Sequence, residues 1–66
     1  MTLVLNGRPH EAPEGTTVER LLADLDLARS PVAVELNREV VPKVRHGATA
    51  LREGDRIEIV TLVGGG

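Results

Sequence analysis

Cysteine, phenylalanine, tyrosine and tryptophan are all absent from these 66 residues. Without a thiol there is no disulfide framework, no thiolate zinc site and no cysteine nucleophile. Without an aromatic ring there is no platform on which single-stranded nucleic acid stacks. Positive charge is not in excess either. Eight basic residues against ten acidic ones give a net charge of −2 and a pI near 5.6, the wrong sign for attracting a phosphate backbone. No apolar run approaches membrane-spanning length, and no charged-then-apolar leader opens the chain. A soluble cytoplasmic protein with no membrane or nucleic-acid partner is therefore expected. Two histidines in a chain without cysteine are too few for a metal site. What is present is a folded composition, 41% apolar and 27% charged, at a size that makes one small domain with a modest core.

Leu3, Val4 and Leu5 are strand formers followed at once by Asn6-Gly7. That pair suits a two-residue hairpin turn, in which both central residues take positive φ. The chain returns through Arg8 to Ala12, and Pro9, which has no N–H for a ladder, assigns the return strand to a sheet edge. Thr16 and Thr17 are N-cap candidates, and Glu19 lies three residues after Thr16, as a capping box requires. Val18, Leu21, Leu22 and Leu25 follow at i, i+3, i+4 and i+7 and share one helical face. Pro31 sets the outer limit of this helix. Val32, Val34 and Leu36 alternate with Ala33 and Glu35 as in a half-buried strand, and Asn37-Arg38 is a turn. Val40-Val41 begins a short return strand that Pro42 closes, a second edge. Residues 43–55 read mostly as loop anchored by Leu51. Arg56 to Val63, RIEIVTLV, is the longest and most apolar strand and suits the centre of a sheet.

This order predicts an α+β domain: a mixed sheet of four to five strands, its first and last strands side by side in the middle, with one helix packed on one face. The expected core is Leu3, Leu5, Val18, Leu21, Leu22, Leu25, Val32, Val34, Leu36, Leu51, Ile57 and Ile59. If Ile57 and Ile59 face the helix, alternation turns Glu58, Val60 and Leu62 away from it, beside Val4. One helix leaves that face uncovered, so Val4, Val60, Leu62 and Val63 are candidate partner-docking residues. Residues 1–63 form the domain, and Gly64-Gly65-Gly66 is expected to be a flexible tail.

No catalytic constellation stands out. Asp24 and Asp26 do not share a helical face, the glycines at 7, 15, 47 and 54 open no phosphate-binding loop, and His10 and His46 are expected to be exposed polar residues. Lys43, the only lysine, carries no mark of Schiff-base chemistry. The tail is different. Glycines make the thinnest thread and accept almost any φ/ψ, so a terminal carboxylate on such a thread is able to enter a narrow pocket of another protein. There, activation as an acyl-adenylate would open it to a sulfur or nitrogen nucleophile.

Four stretches carry a resemblance: LVLNG at Leu3–Gly7, GTTVERLLADL at Gly15–Leu25, NREVVP at Asn37–Pro42, and EGDRIEIVTLVGGG at Glu53–Gly66. With the ββαββ order, they resemble the ubiquitin-like β-grasp sulfur carriers, and most closely the thiamine-biosynthesis sulfur carrier (ThiS) family. Val44 to Ala50 matches poorly. The resemblance implies a β-grasp fold and a protein co-substrate rather than an enzyme. An E1-like adenylyltransferase, using ATP and Mg²⁺ that this chain does not itself bind, would adenylate the Gly66 carboxylate. A cysteine desulfurase would supply the sulfur for a thiocarboxylate, and thiazole synthase would consume it. Gly65 and Gly66 match the functional diglycine, extended by Gly64. Sister carriers for molybdopterin synthesis or tRNA thiolation share this chemistry and differ in the acceptor. A non-covalent ubiquitin-like interaction domain would share the fold alone.

Overall fold

In the computed structural model, which describes residues 1–62, the elements run β1 (Thr2–Leu5), β2 (Arg8–Glu11), α1 (Val18–Asp24), β3 (Val32–Leu36), β4 (Glu39–Val40), a 3₁₀ segment (Lys43–Ala48) and β5 (Arg56–Thr61). The sheet order is β2-β1-β5-β3-β4. Only β1 and β5 pair in parallel; every other neighbour is antiparallel. Pro9 and Pro42 do mark the two edges: Pro9 lies in β2, and Pro42 stands two residues past the end of β4.

Both hairpins turn at an asparagine. Asn6 and Gly7 stand at φ 48° and 82°, Asn37 and Arg38 at 51° and 72°. These left-handed conformations twist a two-residue loop in the same sense as its strands. The asparagines also brace β5. Asn6 Oδ1 accepts from the Ile59 N–H at 2.8 Å, and Asn6 Nδ2 donates to the Ile59 carbonyl at 3.3 Å. One carboxamide thus makes both bonds a strand residue would make, just where β1 ends. On the other side Asn37 Oδ1 accepts from the Arg56 N–H at 2.9 Å, while the Asn37 N–H donates to the Arg56 carbonyl at 2.8 Å.

The helix cap differs from the expected capping box. Thr17 is the N-cap, its Oγ1 accepting from the Arg20 N–H at 3.1 Å. The reciprocal position is therefore Arg20, not Glu19. Thr16 is buried, and its hydroxyl donates to the Pro13 carbonyl at 2.7 Å. The helix also stops well before Pro31. Asp26 takes φ 62°, its N–H bonds the Ala23 carbonyl at 3.1 Å, and the Leu27 N–H bonds the Leu22 carbonyl at 2.7 Å. That is a Schellman stop, with aspartate filling the left-handed position that glycine usually takes.

Leu3, Val18, Leu21, Leu22, Val34, Leu51, Ile57 and Ile59 form the core with Ala12. Leu5, Leu25, Val32 and Leu36, expected inside, are partly buried at its margin. The 3₁₀ segment, expected as loop, packs on α1. It reverses the hydropathy of its own residues: Val44 is 92% exposed while His46 is only 7% exposed. His46 is thus buried rather than a free polar residue, with its Nε2 hydrogen-bonded to the Val41 carbonyl at 3.0 Å. His10 is half-buried on β2.

The double bond from Asn6 to Ile59 gives a test. Asn6→Ala leaves the partly buried Ile59 N–H and carbonyl unpaired and puts alanine at positive φ. It should cost about 2 kcal/mol of unfolding free energy, read by chemical denaturation. A loss below a few tenths would show that the brace is dispensable.

Candidate functional site

The face of the sheet opposite α1 is built by alternation along each strand. Ile57 and Ile59 are buried against the helix, so Arg56, Glu58 and Val60 point the other way and are exposed. On β3, Val34 is inward and Ala33 and Glu35 are outward. Register decides which of these meet. Val4 lies opposite Arg56, Glu58 opposite Glu35, and Val60 opposite Ala33. Glu35 is in turn opposite Val40 of β4. The face therefore has a row of Val4 and Arg56, a row of Glu58, Glu35 and Val40, and a row of Val60 and Ala33.

The candidate docking residues do not form one contiguous patch. Val4 and Val60 share the face, but Val4 sits at the level of Arg56, four residues earlier on β5, which is roughly 13 Å along a strand. Leu62, 51% exposed, lies just past β5. It borders a groove lined also by Leu22, Leu27, Ala28, Val32, Lys43 and His46. It thus belongs to the end of the sheet, where the chain leaves it. Val63, Gly64, Gly65 and Gly66 lie outside the described residues.

Sequence reasoning missed two features of this face. Val40 is 71% exposed, more than the 58% of Val60, and stands beside Glu35. Glu35 and Glu58 are direct cross-strand partners. Both follow once the β3–β5 and β3–β4 registers are known, but strand alternation alone gives faces and not registers.

Among the described residues, no three His, Cys, Asp or Glu side chains gather closely enough to hold a metal ion, and no helix is long and apolar enough to cross a membrane.

The ThiS family model matches residues 3–66. The chain belongs to the ThiS family. The crystal structure of the thiamine biosynthesis protein (ThiS) from Geobacter metallireducens superposes with a TM-score of 0.85 at 38% identity, covering 100% of both chains. The sheet and helix described above are accordingly a β-grasp fold. The sulfur carrier protein ThiS of Bacillus subtilis is 42% identical over 65 residues, 97% of this chain and 98% of that protein. A thiazole synthase of Magnetococcus marinus is 50% identical over 66 residues, which are 100% of this chain but 20% of that protein. This ThiS-family chain thus spans about a fifth of the length of that synthase and of a second from Paramagnetospirillum magneticum.

The division into a packed and an open face is measurable with neighbouring residues of β5. Ile59→Ala should cost about 2–4 kcal/mol by opening a core cavity. Val60→Thr, which keeps the branched shape, should stay within about 0.5 kcal/mol of wild type. Equal losses in denaturant titrations would refute the facing assignment.

Proposed function

We propose that this chain is a sulfur carrier of thiamine biosynthesis whose reactive group is the carboxylate of Gly66. An E1-like adenylyltransferase transfers AMP from ATP, with Mg²⁺, to that carboxylate, and pyrophosphate leaves. The terminal sulfur of a cysteine persulfide, charged by a cysteine desulfurase, then attacks the acyl carbon and displaces AMP. A second thiol attacks the resulting S–S bond, leaves as a disulfide and frees the thiocarboxylate. Thiazole synthase takes that sulfur.

The observation that carries this reading is the family match, which runs to Gly66 and includes the terminal glycines. The two thiazole synthases support the choice of acceptor, since each holds a segment similar to this whole chain within a longer protein of that name. The glycines keep the acyl carbon free of side-chain shielding.

Intact-mass measurement tests the proposal. Wild type incubated with ATP, a desulfurase, cysteine and the cognate adenylyltransferase should gain the mass of one sulfur-for-oxygen exchange. Gly66→Ala, or one residue added after Gly66, should block adenylation and leave the unfolding midpoint unchanged. Removing Gly65 and Gly66 should abolish sulfur transfer with the fold intact. Full biological activity of that truncated protein would favour a non-covalent interaction domain and overturn the carrier reading.

A further inference from the structure

We propose that the adenylyltransferase adds an extended strand of its own to the free edge of β5 at Thr61, and seats one apolar side chain of that strand in the hollow beside it. The proposal rests on the carrier reading above and goes beyond it by naming the backbone groups that hold the enzyme.

Hydrogen bonds along an inner strand point alternately to its two neighbours. The Asn37 N–H donates to the Arg56 carbonyl and the Leu62 N–H to the Pro31 carbonyl, each at 2.8 Å. With Leu36 opposite Ile57 and Val32 opposite Thr61, these two bonds set Arg56, Glu58, Val60 and Leu62 as the residues bonded on the side of β3. Ile57, Ile59 and Thr61 then turn their N–H and carbonyl groups toward the side of β1. Two of the three are met there. The Asn6 N–H donates to the Ile57 carbonyl at 2.9 Å, and the Asn6 carboxamide pairs both backbone groups of Ile59. Thr61 lies one step further on, where the chain has already turned away from β1 through Asn6-Gly7. Among the described residues, nothing pairs with its N–H or its carbonyl.

An unpaired edge is a template for another strand, and proteins commonly blunt it. This fold blunts its outer edges. β2 carries Pro9 and charged residues at both ends, and β4 is two residues long with Pro42 close behind. Val60, Thr61 and Leu62 are exposed and bring neither charge nor proline. An independent feature lies beside them. A hollow of about 370 Å³ is lined by Leu5, Asn6, Leu25, Leu27, Ile59 and Thr61, without a charged group. A strand residue directly opposite Thr61 points its side chain to the same face as Thr61 does, over this hollow. Main-chain bonds at an edge and a pocket for a side chain are the two parts of recognition by strand addition.

The unpaired N–H and carbonyl select a polypeptide over a nucleic acid or a membrane, and the lining selects an aliphatic or aromatic side chain. A second copy fits poorly, because two β5 edges paired about Thr61 would each run into the Asn6 that already occupies Ile59 of the other. Thr61 stands five residues before Gly66, at most about 18 Å of extended chain. A protein that takes the terminus therefore lies close to this edge. The adenylyltransferase is the enzyme of the carrier reading that takes the chain as its sequence encodes it, with a carboxylate at Gly66.

Amide hydrogen exchange of the full-length chain, alone and saturated with the purified cognate adenylyltransferase, tests this without a substitution. Alone, the Thr61 amide should exchange fast while the Val60 amide, bonded to β3, is protected. In the complex, exchange at Thr61 should slow by at least about tenfold, and the methyl resonances of Leu25 and Leu27 should shift. Thr61→Pro removes an N–H on the open side of the strand, so it should fold and bind the enzyme about tenfold more weakly. An unprotected Thr61 amide in the complex overturns the proposal, whatever the proline variant does. So does protection in the free chain, which would assign the edge to the chain's own tail or, if it rises with concentration, to a second copy. Protection by thiazole synthase and not by the adenylyltransferase overturns it as well. Loading of wild type with Thr61 still open defeats the proposal alone, whereas protection at Thr61 without any loading defeats the carrier reading alone.

Discussion

Two asparagine carboxamides hold the last strand of this chain in the middle of its sheet. β5 pairs with β1 over a short parallel stretch, Val4 to Arg56 and Leu5 to Ile57. Asn6 then carries the contact on to Ile59 through its side chain, although β1 itself has turned away. Asn37 does the same for Arg56 at the start of the antiparallel pairing with β3. A parallel neighbour has to come from far away in sequence, and here the pairing joins the first strand to the last. Its closure entropy is met before any reward is collected. Side-chain bonds that lengthen this seam raise the reward where it is smallest. From Arg56 to Ile59, β5 is thereby bonded on both sides.

That seam also separates stability from recognition. Every second residue of β5 faces α1, and the core there is made of branched aliphatic side chains, with no aromatic to enlarge it. The residues between them contribute little to that core. They are free to carry charge and exposed apolar groups that a two-layer domain covered on both faces would have to bury. A single helix on one face is thus the condition for a docking surface on the other, and strand alternation lets the two evolve under different demands.

The sequence made some elements legible and not others, for physical reasons. The helix showed in the spacing of Val18, Leu21, Leu22 and Leu25, the hairpins in Asn6-Gly7 and Asn37-Arg38, and the edges in Pro9 and Pro42. Each is a local signal. The helix end was bounded only from outside, by Pro31, because Asp26 fills the left-handed stop without the usual glycine. The cap shifted by one residue because Thr16 and Thr17 are chemically equivalent candidates, and only the fold chooses which one is buried. The 3₁₀ segment was hidden because Val44 is outside and His46 inside, against the hydropathy of both. The tail's candidate chemistry was visible as composition and position. The open face was visible as a face, but not as rows: Val4 was expected beside Val60, and the parallel register set it beside Arg56 instead. Glu35 and Glu58, far apart in sequence, become neighbours only through that pairing.

The geometry of β5 also constrains the enzymes. Its hydrogen bonding continues past the strand to Leu62, whose N–H meets the Pro31 carbonyl at 2.8 Å. A partner that held this face would fix the position of residue 62 through β5, which pairs with β3 as far as Thr61. Residues 63–66 extend at most about 14 Å beyond it. Any enzyme that acts on the Gly66 carboxyl while holding this face must keep its reactive pocket within that span of its docking surface. An enzyme with a deeper pocket would have to grip the domain elsewhere, at the groove beside Leu62.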